Sequence, residues 1–200
     1  MIFLWYNIKN DVKRMNILKR SNTYNLVMAS IMAAFVLLTT FMGITVPIGG
    51  TNIAFHLGNI TCLLSGVLLG PVYGGFSSAI GSAIFDILNP IYITSLPFTF
   101  VFKFIMTFIC GTIAYSNNKN GEDYLYNIVG ATTGSLVYMG LRSIKALVIN
   151  LYFLDMEPLT ALLFMLSGLI VAVLKTAFTV GAVAVLFPIM KEKLNSRKLQ

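Results

Sequence analysis

The chain has 200 residues, of which 57% are hydrophobic and only 10% are charged. A soluble domain carries about 25% charged residues, so this composition with its long apolar runs excludes an ordinary soluble protein and predicts an integral membrane protein. The formal net charge of +7 does not indicate nucleic-acid binding, because the basic residues flank the apolar part instead of sharing one solvated face.

Basic residues cluster at both ends of the chain. Five precede the first apolar run and four follow the last one: Lys9, Lys13, Arg14, Lys19 and Arg20, then Lys191, Lys193, Arg197 and Lys198. The positive-inside rule therefore predicts cytoplasmic segments at 1–22 and 189–200 around a membrane domain at 23–188. The first segment does not fit a signal peptide. It is either a surface-lying segment or partly untranslated, with Met15 as the true start.

The first predicted span covers Tyr24–Gly43 and contains the pair Ala29 and Ala33. Small residues four apart lie on one helix face and permit the close approach of another helix, although alanine is also common in membrane helices. The following stretch, ITVPIGGTNIAF, contains Pro47 and two glycines, which predict an irregular loop. This loop either folds back over a cavity or is a plain exposed connection.

The stretch Phe55–Pro90 is predicted to form a helical hairpin. Two apolar runs flank the dipeptide Gly70-Pro71, a typical turn signal. The second run, Tyr73–Leu88, carries small residues at a four-residue spacing, among them Gly74 and Ser78. Such a ridge predicts close packing against other helices.

Three further spans are predicted, at Phe98–Tyr115, Tyr124–Tyr152 and Leu159–Phe187, separated by polar loops. The sequence thus predicts an all-α integral membrane protein with six transmembrane helices and both termini in the cytoplasm. The three loops that this topology places outside contain no Lys or Arg, as the positive-inside rule requires.

Several polar residues fall within or at the ends of these spans. A charged side chain at the bilayer centre costs about 2.5–3.5 kcal/mol, so it usually faces a partner or a cavity. In the six-span topology the interior ionisable groups lie between the midplane and the outer surface, which predicts an outward-facing binding pocket. The candidate pocket residues are His56, Asn59, Asp86, Lys103, Arg142, Lys145, Asn150 and Lys175.

Several candidates have a simpler interpretation. Lys103 could extend to the outer interface, His56 could be an ordinary helix-end residue, and Asp86 could pair with Lys103 or Arg142. Lys175 is the hardest to explain without a site, since it is predicted near the middle of its span. Four cations against one aspartate leave a positive excess, which a substrate with acceptor oxygens or negative charge would balance.

Other chemistries find little support in the sequence. Cys62 and Cys110 both lie in apolar runs, where cysteine behaves as a small buried hydrophobe. The sequence has no CxxC, HExxH, GxSxG or Walker A pattern, so we expect no metal, no cofactor and no ATP site in this chain. One histidine and one intramembrane aspartate are too few for a membrane enzyme.

The motifs HLGN, LLSGVLLGPVYGG, IGSAIFDIL and PFTFVFKFIMTFICG occur in order from His56 onwards. With them the chain, over about Tyr24–Phe187, resembles the substrate-binding (S) components of energy-coupling factor (ECF) vitamin transporters. It is most similar to the riboflavin-transporter-like subgroup, which also takes up pyridoxine or hydroxymethylpyrimidine. The resemblance implies a bacterial-type plasma membrane, six helices and cytoplasmic termini.

The resemblance also implies partners and roles. A transmembrane coupling subunit driven by two ATPases would dock on the first three helices, with Ala29, Ala33, Gly74 and Ser78 as candidate contacts. The Thr45–Phe55 loop would cap an external vitamin pocket lined by helices four to six. Lys175 matches a lysine that helps to hold the ligand in flavin-binding relatives. Val171 and Ala172 stand where an asparagine commonly accompanies it, which leaves flavin, pyridoxine and hydroxymethylpyrimidine open.

The main alternative is a stand-alone secondary transporter of a small polar metabolite. Such a protein is expected to carry inverted repeats, broken helices and an ion relay near the midplane. No repeat is visible, and Lys175 alone is not a relay. A purely structural membrane protein would leave the one-sided interior charges unexplained.

Overall fold

A computed structural model describes residues 22–48, 51–90, 92–152 and 157–196, with side chains described for 23–43, 57–90, 92–152 and 157–189. Within these residues the chain forms five α-helices and one pair of strands. In order they are α1 (Asn22–Phe41), β1 (Gly43–Ile48), β2 (Thr51–His56), α2 (Gly58–Leu88), α3 (Leu96–Ala114), α4 (Tyr124–Tyr152) and α5 (Pro158–Ser196). Short 3-10 turns at Ile93–Ser95 and Ser116–Asn118 precede α3 and α4.

Helix α2 is a hairpin of two antiparallel arms, residues 58–69 and 71–88. Gly70 separates them with φ +80° and ψ −177°, a conformation that only glycine adopts without strain. The Oγ atoms of Ser65 and Ser78 are 2.8 Å apart, and Cys62 Sγ lies 3.8 Å from Ser82 Oγ. These pairings run in opposite directions along the two arms, so the predicted helical hairpin is confirmed.

The other helices pack against this hairpin in sequence order. Helix α1 contacts it through a hydrogen bond of 2.7 Å between the hydroxyls of Thr39 and Thr61. On another side, Cys110 Sγ of α3 donates to the Leu63 carbonyl at 3.7 Å. Helix α4 then packs on α3 so closely that a Cβ atom at Gly134 would lie 2.5 Å from the Met106 carbonyl oxygen. The apolar core lies where the first arm and α3 meet.

Packing loosens towards the second half of α4 and along α5. A Cβ atom added at Gly140, Gly168 or Gly181 would meet no other atom within 4 Å. Much of the α5 surface is exposed hydrophobic side chain, as expected for a helix that faces lipid. The looser half of the helix bundle is the half that contains a cavity.

The polar loop between α3 and α4 is held by its own contacts and by the hairpin turn. Lys119 Nζ donates to Asp123 Oδ2 at 2.7 Å, and this hydrogen bond lowers the pKa of the aspartate and raises the pKa of the lysine. Asp123 Oδ1 also accepts from the Leu125 backbone N–H at 3.0 Å, which caps the start of α4. The Tyr115 hydroxyl donates to the Leu68 carbonyl at 3.1 Å, next to the turn.

The prediction of an irregular loop between the first two spans was wrong. Strands β1 and β2 pair antiparallel, from Gly43 opposite His56 to Ile48 opposite Thr51. Strand β1 is rich in β-branched residues, β2 contains Thr51, Ile53 and Phe55, and the Gly-Gly dipeptide between them is typical of a two-residue hairpin connection. His56 ends β2, so its simpler interpretation as a helix-end residue is wrong, and its place in the pocket stays a prediction.

In the part of the chain that the structure describes, four helical segments are long and apolar enough to cross a membrane: Thr23–Phe41, Gly58–Leu88, Ile93–Ala114 and Pro158–Ile189. The second of these contains both arms of the hairpin. Helix α4 carries Arg142 and Lys145 and is not among the four. A helical membrane fold is therefore confirmed, whereas six spans and cytoplasmic termini stay predictions. The basic segment before Asn22 and the residues after Ser196 lie outside the described part.

Candidate functional site: a cation-lined cavity

A cavity of about 550 Å³ lies at the end of the molecule away from the Gly70 turn. The end of α1, the open end of the hairpin, the start of α3, the second half of α4 and the middle of α5 form its wall. This volume is within the roughly 300–1,000 Å³ that is usual for small-molecule sites. We call it the cation-lined cavity.

Seven of the eight candidate pocket residues lie on the cavity wall. They are Asn59, Asp86, Lys103, Arg142, Lys145, Asn150 and Lys175. The side chain of the eighth, His56, is outside the described side chains. Residues as far apart in sequence as Asn59 and Lys175 thus share one surface, which the six-span topology predicted from their depth alone.

Lys103 is held inside the cavity and does not extend to an interface. It is only 7% exposed, its ammonium donates to Asn59 Oδ1, and it sits 4.8 Å from the centroid of the Tyr138 ring. The guanidinium carbon of Arg142 lies 6.0 Å from the same centroid. Two cations therefore share one aromatic ring, whose electron-rich faces attract positive charge.

Lys145 and Asp86 lie on the part of the wall near the start of α3. Lys145 Nζ donates to Ser95 Oγ at 3.1 Å and sits 4.4 Å from the centroid of the Phe98 ring. Asp86 is 6% exposed and has Thr99 within hydrogen-bonding reach. Among the described residues it forms no ion pair with Lys103 or Arg142, in contrast to the simpler interpretation of Asp86.

Lys175 joins the wall from α5 and Asn150 joins it from the last turns of α4. Thr179, one turn beyond Lys175, donates its hydroxyl to the Lys175 carbonyl at 2.8 Å and also lines the cavity. The candidate residues on the wall therefore come from four different helices, α2 to α5.

Sequence reasoning missed the aromatic part of the wall. Six rings line the cavity: Phe85, Tyr92, Phe98, Phe102, Tyr138 and Phe178. One signal was available for Tyr138, because it precedes Arg142 by four residues and Lys145 by seven, the spacing of one helix face. In a chain with 12% aromatic residues, the other rings carry no such signal.

The candidate docking residues face inward to different degrees. Gly74 and Ser78 lie between the two arms, where a Cβ atom at Gly74 would be 2.6 Å from the Ser65 carbonyl oxygen. Ala29 is 8% exposed, and the Ala33 carbonyl lies directly against Gly81. These contacts do not support direct docking by Gly74, Ser78 or Ala29, and their role stays a prediction. The exposed small residues of α1 are Ser30 and Ala34.

The fold and the cavity define a class: a helical membrane protein with a polar, ligand-sized cavity at one end. A solved chain from "Structure and mechanism of the S component of a bacterial ECF transporter" has the same fold. The TM-score is 0.56 with 19% identity, over 90% of this chain and 100% of that one. A curated protein of Pyrococcus woesei, "Uncharacterized protein in gap 3'region", is 29% identical over 102 residues, 51% of this chain and 68% of its own length.

The family model for the ECF-type riboflavin transporter S component matches residues 20–192. The chain belongs to this family, which confirms the resemblance found in the sequence. It is therefore a multi-pass membrane protein and the substrate-binding subunit of an ECF transporter. Proteins of this kind are transporter components and not enzymes. They bind a vitamin and work with an energising transmembrane subunit and ATPases.

Proposed function

We propose that the cation-lined cavity binds a water-soluble vitamin or vitamin precursor with a planar ring. The observation that carries the proposal is the meeting of four cations and six aromatic rings on one wall. Aromatic rings stack on a planar heterocycle, while Lys and Arg donate to its acceptor atoms. The family description favours a flavin, and pyridoxine or hydroxymethylpyrimidine would use the same contacts.

We further propose that the cavity faces the outside of a bacterial-type plasma membrane. Support comes from the charge distribution, since both ends of the chain are basic and the loops at the cavity end lack Lys and Arg. Lys119 lies at the opposite end, beside the hairpin turn. Substrate would enter past the β-hairpin, which connects α1 to the hairpin arm that bears Asn59.

The energising subunit would dock on α1. Ser30 and Ala34 are exposed and four residues apart, so they offer the close helix approach that was first attributed to Ala29 and Ala33. The Ser30 hydroxyl donates to the Leu26 carbonyl at 3.0 Å, which leaves no unmet donor in lipid. Two ATPases on the cytoplasmic side would then drive inward release of the substrate.

Uptake measurements separate this proposal from a stand-alone secondary transporter. Cells would express the chain with an ECF energising module that is either intact or carries inactivated ATPases. We expect labelled flavin uptake only with the intact module, and unchanged flavin binding with both. Uptake that persists without ATPase activity would favour the secondary transporter.

Tryptophan substitutions test the docking surface. Ser30→Trp with Ala34→Trp adds bulk on the exposed face of α1, so we expect uptake to be lost while flavin binding and stability are retained. The matched control, Val101→Trp on the exposed face of α3, should leave uptake intact. Full uptake by the doubly substituted protein would exclude this face of α1 as the docking surface.

A further inference from the structure

The charges of the cavity wall do not balance. Among the described lining residues, four cations face one carboxylate, which leaves a formal excess of three positive charges. The cations are Lys103, Arg142, Lys145 and Lys175, and the carboxylate is Asp86. Inside a membrane protein such an excess raises the free energy of the empty site, because low-dielectric surroundings screen the repulsion poorly.

The neighbours of these cations are mostly neutral. Lys103 donates to an asparagine amide oxygen and Lys145 donates to a serine hydroxyl, and these bonds satisfy donors without cancelling charge. Asp86 acts electrostatically on both of these lysines. Arg142 forms no ion pair among the described residues, and its guanidinium carbon lies 6.0 Å from the centroid of the neutral Tyr138 ring. No carboxylate therefore cancels the charge of Arg142 by direct contact within the described part of the chain.

Arg142 is also accessible to a ligand. Its side chain is exposed although it lies on the cavity wall, so it projects into the open space of the cavity. Lys145 lies three residues further along α4, on the same helix face, and Lys175 lines the same cavity from α5. An exposed guanidinium that shares a cavity wall with two ammonium groups is a typical binding site for an anion.

We propose that the substrate of this protein carries a phosphate-type anionic group, which binds at Arg142 between Lys145 and Lys175, while its ring packs against the aromatic wall. This inference rests on the proposed function and names the charge of the substrate. A phosphate monoester carries about −1.5 to −2 charges and three strong acceptor oxygens. It offsets about half to two thirds of the excess, whereas a neutral vitamin offsets none and a carboxylate offsets only one charge.

The test compares riboflavin with riboflavin 5′-phosphate on the purified full-length protein, by quenching of flavin fluorescence. We expect the phosphate ester to bind at least about tenfold more tightly, since a hydrogen bond between charged groups contributes about that factor. Arg142→Gln should abolish this preference and change riboflavin binding much less. Lys145→Gln provides a second variant should the first fail to fold. Lys119→Gln, outside the cavity, should behave as the unmodified protein.

The outcomes separate this inference from the proposed function. Equal or tighter binding of riboflavin would overturn the anionic substrate and leave the vitamin-binding function standing. A preference that survives both Arg142→Gln and Lys145→Gln would overturn the assignment of the anion to this cluster. Should neither flavin bind, mass spectrometry of the small molecule that co-purifies with the protein decides: an anion supports the inference and a neutral compound overturns it.

Discussion

Tyr138 holds two of the cavity cations on one ring. Lys103 lies 4.8 Å and Arg142 lies 6.0 Å from its centroid. Cation–π contacts contribute about 0.5–2 kcal/mol each, more where water is excluded. The ring thus fixes the direction of two charged side chains before any substrate arrives, which lowers the entropy lost on binding.

Two substitutions at Tyr138 separate the contribution of its ring to flavin affinity from the contribution of its hydroxyl. Tyr138→Phe keeps the ring that attracts both cations, so we expect flavin affinity to fall by less than about threefold. Tyr138→Ala removes the ring, and we expect a loss of about tenfold or more at unchanged stoichiometry. Fluorescence titration measures both. Equal affinities for the two variants would show that the ring does not position the cations.

The sequence was sufficient to predict which charged residues line the cavity, but not which aromatic residues do. A lysine or arginine within an apolar span is costly, so Lys175 and Arg142 stand out without any structure. A phenylalanine in the same span has no energetic cost whether it faces lipid or a cavity wall. The sequence therefore does not indicate which of the two it faces. The sequence therefore indicated the charge of the site but not its aromatic surface.

At the scale of elements, close glycine contacts hold the helices around the hairpin. Gly134 allows α4 to approach the α3 backbone, and Gly66 allows the first arm to approach Thr107 of α3. Burial of small residues lets backbones pack without large side chains, as is usual between membrane helices. These tight contacts surround the core, whereas Gly140 on α4 and Gly168 and Gly181 on α5 have no such neighbours.

Matched glycine substitutions test this difference in packing. Gly134→Val places atoms against the Met106 carbonyl, and we expect it to destabilise the protein by about 1–3 kcal/mol. Gly168→Val on α5 meets no neighbouring atom and should leave stability unchanged. Thermal unfolding in detergent compares the two variants. Equal stability of both would contradict the tight packing of α3 on α4.

The helical hairpin α2 was predictable as an element, whereas the β-hairpin formed by β1 and β2 was missed. Gly70-Pro71 between two apolar runs leaves few alternatives to a reversal of the helix. In the stretch Gly43–His56, Pro47 and the two glycines were taken as signals of irregular structure. β-branched residues on both sides of a Gly-Gly dipeptide carried the opposite signal.

At the scale of the whole molecule, uptake from outside requires the cavity to face outward and the hairpin turn to face the cytoplasm. The helices that are long and apolar enough to cross a membrane were predictable because long apolar runs have few other uses, but helix α4, which carries two cavity cations, is not among them. The convergence of α4 and α5 on one cavity depends on tertiary packing, which periodicity does not encode.

Cysteine labelling tests this orientation. Both native cysteines are buried, which keeps the background low. A membrane-impermeant thiol reagent added to intact cells should label Thr94→Cys, near the cavity, and should not label Asn117→Cys, in the loop beside the hairpin turn. After permeabilisation both should react. Labelling of Asn117→Cys alone in intact cells would show that the orientation in the membrane is the opposite of the proposed one.

The most direct measurement identifies the molecule bound in the cavity. The full-length protein would be purified from membranes beside a variant with Lys175→Ala and Arg142→Ala, and both would be analysed by mass spectrometry. We predict that a ring-containing vitamin or its phosphate ester co-purifies in near one-to-one ratio with the unmodified protein and is absent from the folded variant. An equal amount of the same ligand on both proteins would contradict the assignment of the cation-lined cavity as the substrate site.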